Sequence, residues 1–465
     1  MNTTPLNTKE YIKAALADKN LRAAVGKATG STADSRNAVI GQIPYWEDLR
    51  SRVHLIKKDA IENLDKYLIQ FEENCKRNNI NVHWASDAEE ARNIILDIAQ
   101  KSNSKKIVKS KSLTTEEINL NNFFADKNIE VLETDLGEYI VQLNKQIPSH
   151  LIIPAMHLSR KDIGKLFAEK LGVEYTEDPA ELLSIARRIL REKFLNADIG
   201  ISGANFAFAS SGSFCVVENE ANAHLTISLP RIHIAVMGIE KLIPDKKYLP
   251  YFLKLLPPSA TGQKSSTYVN FVGGVSRGRY GEGPEEVHIV LLDNGRTKIL
   301  KDPKLRETLY CIRCGACLNA CPVYKNIGGH SYGWVYMGPI GAALIPQYLG
   351  ESEGKYSPFL SSLCGACADV CPVKIDLPGH LLELRNRVVE SGNTPGYERG
   401  AFKIYSMIIS RPRLYRFLSR FPAVMQKLMP AGKPFPVPGY KEEREFARFD
   451  EKGFGKRYKE FINNK

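Results

Sequence analysis

The run Cys311-Ile-Arg-Cys314-Gly-Ala-Cys317-Leu-Asn-Ala-Cys321-Pro322 spaces four thiols as C-x2-C-x2-C-x3-C-P. That spacing lets one short loop put three thiolates on three corners of a cubane iron–sulfur cluster, while the fourth cysteine points elsewhere. Pro322 has no backbone N–H to give and prevents a simple helical continuation. A second run, Ser361-Ser-Leu-Cys364-Gly-Ala-Cys367-Ala-Asp-Val-Cys371-Pro372, repeats the pattern with serine where its first cysteine belongs. Groups of this kind pass electrons one at a time.

In a pair of such clusters the last cysteine of each run ligates the other cluster. Crossing them assigns Cys311, Cys314, Cys317 and Cys371 to cluster 1, and leaves cluster 2 with Cys321, Cys364 and Cys367. The missing corner has several candidates: Ser361, the distant Cys75 or Cys215, a partner protein, water or substrate, or a three-iron cluster that needs no fourth ligand. An open or weakly held corner ranks first, because thiolate is much the preferred ligand, and cluster 2 is then the labile one. Zinc fits poorly, since its sites pair cysteines across a longer gap and close at four ligands. Cys75 and Cys215 stand outside both runs and read as buried small hydrophobes.

Elements with regular periodicity must hold these loops. Residues 9–27 read as a helix that ends at Gly30-Ser31-Thr32, and a second helical stretch covers 45–78. Ser86 with Glu89 has the form of a capping box, and Ala91, Ile94, Ile95 and Ile98 line one helical face. Strands at 106–108, 129–133, 214–218, 232–237 and 287–293 alternate with helices near 115–126, 161–171 and 180–195. The alternation predicts an α/β domain around a largely parallel sheet, closed by the turn Asp293-Asn294-Gly295. Beyond residue 300 the character changes to a separate cluster domain. Apolar, Gly-rich sequence at 338–349 between the two runs predicts an inserted helical pair. An apolar-basic stretch at 404–428 follows, then a Pro-rich segment at 430–438 that reads as an extended linker, then a polar tail. The predicted boundaries are 1–60 (N-terminal helical segment), 61–298 (α/β domain), 299–395 (cluster domain) and 396–465 (basic C-terminal region).

With 465 residues, 43% hydrophobic and 25% charged, the chain has the composition of a globular protein. Its start carries acidic residues and no apolar run of signal-peptide length, and no later segment is long and apolar enough to span a bilayer. The expectation is a soluble, cytoplasmic protein with no transmembrane segment, whose clustered cysteines stay reduced and bind metal. The net charge of +12 raises nucleic acid as a partner. Zinc-finger spacing, an RNA-binding aromatic signature and a long basic block are all missing, so no nucleic-acid partner is expected. Much of the excess lies beyond Pro395, where Lys and Arg outnumber Asp and Glu roughly two to one. A solvated tail is the first reading of it, and a basic docking surface for an acidic partner the second.

In the α/β region the glycine-rich segment at 200–226 gathers Glu218, Asn219, Glu220, Asn222 and His224, which suit either a ligand cleft or a tight structural turn. Neither a dinucleotide fingerprint nor a P-loop is present. Lys109-Ser110-Lys111 after a strand is a weaker anion-site candidate, with a solvated face as the alternative. His157, His224 and His233 are scattered, which argues against a histidine metal site.

Val108-Lys-Ser-Lys-Ser-Leu-Thr-Thr-Glu-Glu-Ile118, Glu133-Thr-Asp-Leu-Gly-Glu-Tyr139, the 200–226 segment, His233-Ile-Ala-Val-Met-Gly-Ile-Glu-Lys241 and Gly283-Pro-Glu-Glu-Val-His-Ile289 together resemble the lactate utilization protein B family. The resemblance covers nearly the whole chain, including the serine of the second run. It implies an α/β LUD domain, related to the sugar-isomerase and CoA-transferase sheets, followed by a mainly α-helical ferredoxin-type iron–sulfur domain and an irregular tail. It also implies two [4Fe-4S] clusters and a role in oxidising L-lactate to pyruvate with two companions, a cysteine-rich redox protein and a second LUD-domain protein. No LUD residue carries over as a catalytic group.

Oxidising a 2-hydroxy acid needs an electron or hydride acceptor, and this chain shows no flavin or nicotinamide fingerprint. The leading expectation is therefore an electron-transfer subunit of the lactate-oxidising complex, its final acceptor unspecified. Three alternatives stand beside it. One is direct lactate oxidation in the LUD cleft, with His224 or a carboxylate taking a proton beside an open-cornered cluster. The second is a redox or iron sensor. The third is the iron–sulfur subunit of a glycolate-oxidase-like or heterodisulfide-reductase-like complex.

Overall fold

Asp18 makes the first break in the chain: its carboxylate accepts the N–H groups of Asn20 and Leu21, both at 2.9 Å, and so starts a new helix. The computed structural model, which describes residues 8–275, 283–394, 396–419, 421 and 453–464, thus has helices Thr8–Ala17 and Lys19–Ile40. Gly30-Ser31-Thr32, expected as a terminator, lies inside the second helix. The Thr29 and Thr32 hydroxyls return to the carbonyls of Val25 and Ala28 on the preceding turn, which keeps them compatible with helix. The stretch at 45–78 is two helices, Trp46–Glu62 and Leu64–Arg77, separated at Asn63. The capping residue ahead of helix Ala88–Lys101 is Asp87, one position after the expected Ser86, whose hydroxyl instead donates to Glu90.

The strands are β1 (Ile80–Ala85), β2 (Lys106–Lys109), β3 (Glu130–Glu133), β4 (Ile199–Ser202), β5 (Phe206–Phe208), β6 (Ser213–Glu218), β7 (Ile232–Gly238), β8 (Leu242–Ile243), β9 (Tyr268–Val272) and β10 (Glu286–Leu292). Six form a parallel sheet in the order β1-β10-β7-β4-β2-β3. β7 is buried at every position and β10 at all but its first, as strands covered on both faces must be. Alternate residues feed two cores: Ala235, Met237, Ile289 and Leu291 pack on one side with Phe71 and Phe214, and Ile234, Val236, Val290 and Leu292 on the other with Ile95 and Phe124.

The strand at 214–218 belongs elsewhere than expected. β6 pairs antiparallel with β5 and β9 in a second sheet of order β8-β5-β6-β9. Gly212 makes the β5–β6 turn at φ +57°, where a Cβ would sit 2.3 Å from the backbone of Asn74 and Cys75. Only glycine allows that approach.

The chain divides into two compact units at Val388 and Val389. In the first, one apolar cluster runs from Val25 and Val53 through Phe206 and Phe252 to Leu309, Tyr324, Leu344 and Leu381. Between the cysteine runs lie two helices, the short Pro322–Ile327 and Gly338–Leu349, with single turns at His330–Tyr332 and Ser357–Phe359. The stretch at 338–349 is itself a single helix, and after it Gly354 lies against Pro346, where a Cβ would come within 2.5 Å, so the returning chain packs as a close turn. The second unit contains helices Gly396–Ile409, Pro412–Leu418 and Gly453–Asn463. The Pro-rich segment at 430–438 lies outside the described residues. Among the described residues no helix is long and apolar enough to cross a membrane.

Candidate metal centre

In the first cysteine loop the backbone turns left-handed twice, at Arg313 (φ +61°) and Gly315 (φ +76°), before helix Ala316–Ala320 begins. The Arg313 N–H donates to the Cys311 sulfur at 3.4 Å. Cys321 stands at the end of that helix in extended geometry and caps the next one, Pro322–Ile327, by accepting from Tyr324 N–H at 3.5 Å. The second loop repeats these turns at Leu363 (φ +54°) and Gly365 (φ +85°).

The two loops exchange their last cysteines. Cys311, Cys314, Cys317 and Cys371 line one apolar cavity with Leu151, Ile312, Ile340, Val373, Ile375 and Leu377. Cys321 instead neighbours Cys364 and Cys367: burial first, and then repulsion from Cys364, raises the Cys321 thiol, and burial with repulsion from Cys321 and Cys364 raises Cys367. Burial pushes Cys314 and Cys317 well up and Cys371 up to about 11. Four thiolates gathered in an apolar cavity need a multivalent cationic core to offset desolvation and mutual repulsion, and this donor set fits an iron–sulfur cubane. Among the described residues no three His, Cys, Asp or Glu converge closely enough for a single ion. Cys364 differs from its neighbours: it is exposed, and its thiol is held below the usual range by the Ala366 N–H and the Ser362 hydroxyl. The Tyr332 hydroxyl, wholly buried and influenced by Cys321, has no hydrogen-bond partner among the described residues and is available to a sulfur acceptor.

Basic side chains surround the four-thiol cavity. Arg50 donates to the carbonyls of Cys371 (2.9 Å) and Ala368 (3.2 Å), Arg36 donates to Val370 O (3.1 Å), and His54 meets Val373 O at 2.9 Å. The helices at 19–62 thereby hold the second loop by its backbone. The Arg313 guanidinium lies 4.6 Å from the Tyr336 ring centre and 3.7 Å from Glu240, with both terminal nitrogens buried and without a hydrogen bond among the described residues. Glu240 follows β7. Burial opposes its ionisation, yet Arg296, Lys241 and Arg313 hold its carboxyl down at about 2. Arg296 also grips Glu117 with two bonds of 2.9 Å, and Tyr336 donates to the same carboxylate at 2.6 Å. Burial lowers Lys57 to about 7 and Lys241 to about 8. None of these side chains stood out in the sequence. The available signal was faint: Arg50 and Lys57 fall on the apolar face of Trp46–Glu62 beside Val53 and Ile56, where a basic residue ordinarily snorkels to solvent.

The LUD-region candidates separate. Glu218 accepts from the N–H groups of Ala223 and His224 (2.7 Å each) and from Asn270 (2.6 Å), and His224 meets Asn270 at 3.0 Å, so this group ties helix Asn222–Ser228 to β9. Asn219 holds Gln263 and Thr267. Asn222 reaches Thr134 at 3.4 Å. Lys109 is neither a free anion site nor solvated: it is fully buried between Glu133 (2.5 Å) and Glu116 (2.9 Å). His233 is buried against Ser202 at 2.8 Å, and His157 bonds Ser149 and Gln146. Cys75 donates to Gly212 O at 3.4 Å and Cys215 is buried in β6, both thiols pushed up to about 12 by burial in the α/β core.

Comparison with known proteins gives these regions family counterparts. A LUD domain model matches residues 68–292 and a 4Fe-4S dicluster domain model matches 307–375. Proteins called lactate utilization protein B from Bacillus cytotoxicus and Bacillus cereus are each 43% identical over 96% of this chain and 95% of their own length. A crystal structure of a DUF162 family protein from Deinococcus radiodurans aligns with 49% of this chain and 98% of its own, at 12% identity and a TM-score of 0.29. By the extent of its identity with these Bacillus proteins, and by the two domains in this order, the chain belongs to the lactate utilization protein B family.

Proposed function

We propose that the chain is a cytoplasmic iron–sulfur electron-transfer subunit of a complex that oxidises L-lactate to pyruvate. Cys311, Cys314, Cys317 and Cys371 hold the first [4Fe-4S] cluster, and Cys321, Cys364 and Cys367 hold the second. The observation that carries this reading is the exchange of Cys321 and Cys371 between the loops, which sorts seven thiols into a set of four and a set of three. When bound, such clusters supply reversible one-electron acceptance. The lactate substrate is taken from the relatives' names. The partners are the two companions expected of the family, a cysteine-rich redox protein and a second LUD-domain protein.

The chain's own residues divide the work. Ile312, Ile340, Val373, Ile375 and Leu377 keep water from the four-thiol cavity. Arg313 places a permanent cation beside it, which favours an added electron there. Exposed Cys364 marks the edge at which a partner's redox group can approach.

Direct lactate oxidation in the LUD cleft has one observation in its favour. Beyond the carboxyl ends of β2 and β3, burial pushes the carboxyls of Glu138 and Glu220 up within the influence of Lys111. Against it, the other acid–base candidates there, Glu218 and His224, are engaged in structural bonds. The test supplies the anaerobically purified chain with L-lactate and an artificial acceptor, alone and with both companions. The relay predicts no lactate-dependent cluster reduction in the chain alone, and the appearance of reduced-cluster EPR signals once the companions are added. Turnover by the isolated chain would overturn the relay in favour of the cleft.

A further inference from the structure

The Leu363 N–H donates to the Ser361 hydroxyl oxygen at 3.1 Å. In the first loop the N–H two residues after Cys311 donates in the same way to the Cys311 sulfur, at 3.4 Å. The left-handed residues that follow, Arg313 with Gly315 and Leu363 with Gly365, sit at matching positions. Ser361 therefore occupies, in backbone and in hydrogen bonding, the place of a ligating cysteine. A backbone N–H aimed at the donor atom stabilises negative charge on it, which an alkoxide needs more than a thiolate does.

The position is also held. Arg385 donates to Pro358 O and Ser361 O at 2.8 Å each, and its guanidinium covers the Phe359 ring at 5.2 Å. That fixes the chain on either side of the turn by which Ser361 arrives. Neither spare cysteine competes, because Cys75 and Cys215 are committed to the α/β core.

We infer that Ser361 is the fourth ligand of the second cluster. Its hydroxyl proton leaves to solvent as an Fe–O bond forms, giving the cluster one oxygen-ligated iron. This inference rests on the chain holding two clusters and not on which substrate system it serves. Alkoxide is a harder donor than thiolate and favours the more oxidised iron, so this cluster has a lower reduction potential than an all-cysteine version would.

The experiment compares anaerobic full-length wild type, Ser361→Ala and Ser361→Cys by iron content, Mössbauer spectroscopy and EPR-monitored redox titration. The first cluster's signal reports that each variant has folded. Wild type should show one iron site with oxygen-ligand Mössbauer parameters. Ser361→Ala should lose one iron per chain and show the oxidised-state signal of a three-iron cluster. Ser361→Cys should keep all its iron and raise the second midpoint potential alone. Wild-type iron content and potential in Ser361→Ala, or no change of potential in Ser361→Cys, would overturn the assignment. Should Ser361→Ala fail to fold, Ser361→Cys and the wild-type spectrum still decide it. A chain without iron after reconstitution would instead overturn the two-cluster reading itself.

Discussion

Arg313 and Leu363 make the same left-handed turn at the same step of two similar loops, yet one presents a buried guanidinium and the other a half-buried leucine. The first loop brings three of its thiols, with Cys371 of the second, into an apolar cavity walled by the large core, within reach of basic residues from helices that precede the sheet. The second leaves Cys364 in solvent and offers serine as its opening donor. Matching backbones thus produce a sheltered, four-thiol site and an accessible, oxygen-bearing one. Ligand spacing sets how a cluster is held, and the surrounding protein sets its permanence and potential.

The sharpest way to break the comparison is to remove one ligand from each side. Cys317→Ala should abolish the first cluster's EPR signal and, because Cys317 lies in the core, lower folding stability by several kcal/mol, of order 3. Cys364→Ala should abolish the second cluster's four-iron signal while the first persists, with thermal unfolding shifted by only about 1 kcal/mol. Loss of both signals in both variants would mean that the two sites assemble as one.

A smaller effect separates the clamps. Arg50→Ala removes two donors to the Cys371 loop from a buried setting and should cost about 2–3 kcal/mol in chemical denaturation. Arg385→Ala also removes two donors, but from a part-exposed site, and should cost about 1 kcal/mol. Its clearer effect should be faster chelator extraction of iron from the second site alone. Equal costs would contradict the contrast in burial.

How much of this arrangement was legible in the sequence depends on the range of the interaction. The crossing of Cys321 and Cys371 follows from spacing within two short runs, so it could be read directly. The apolar runs of β7 and β10 announced buried parallel strands for the same local reason. Periodicity marks the strand at 214–218 but does not separate it from the parallel sheet, because periodicity reports burial and is silent about pairing partner and direction. Helix ends moved by a residue or more wherever an Asx side chain took over the cap, as at Asp18 and Asp87. Least legible was the basic wall: Arg36, Arg50 and Lys57 lie 334, 321 and 183 residues from the carbonyls they meet, and a lone basic residue in an amphipathic helix carries no mark of its eventual burial.

Arg313 offers the finest test of the difference between the sites. Among the described residues its terminal nitrogens are buried without hydrogen-bond partners, and the carboxylate beside it, Glu240 at 3.7 Å, is already held by Arg296. The charge is therefore only partly compensated by the protein and acts on the nearby Cys311 site. Reduction adds one negative charge there, so a fixed cation makes reduction easier. Arg313→Gln keeps much of the bulk and removes the charge. An interaction of roughly 1.4 kcal/mol at an effective dielectric near 20 corresponds to about 60 mV for one electron. The first midpoint potential should fall by about that amount in an EPR-monitored titration, and the second, whose loop has Leu363 at this position, should stay in place. Equal shifts at both sites would show that the guanidinium acts through the general field of the protein, and the contrast between the loops would then lie in their ligands alone.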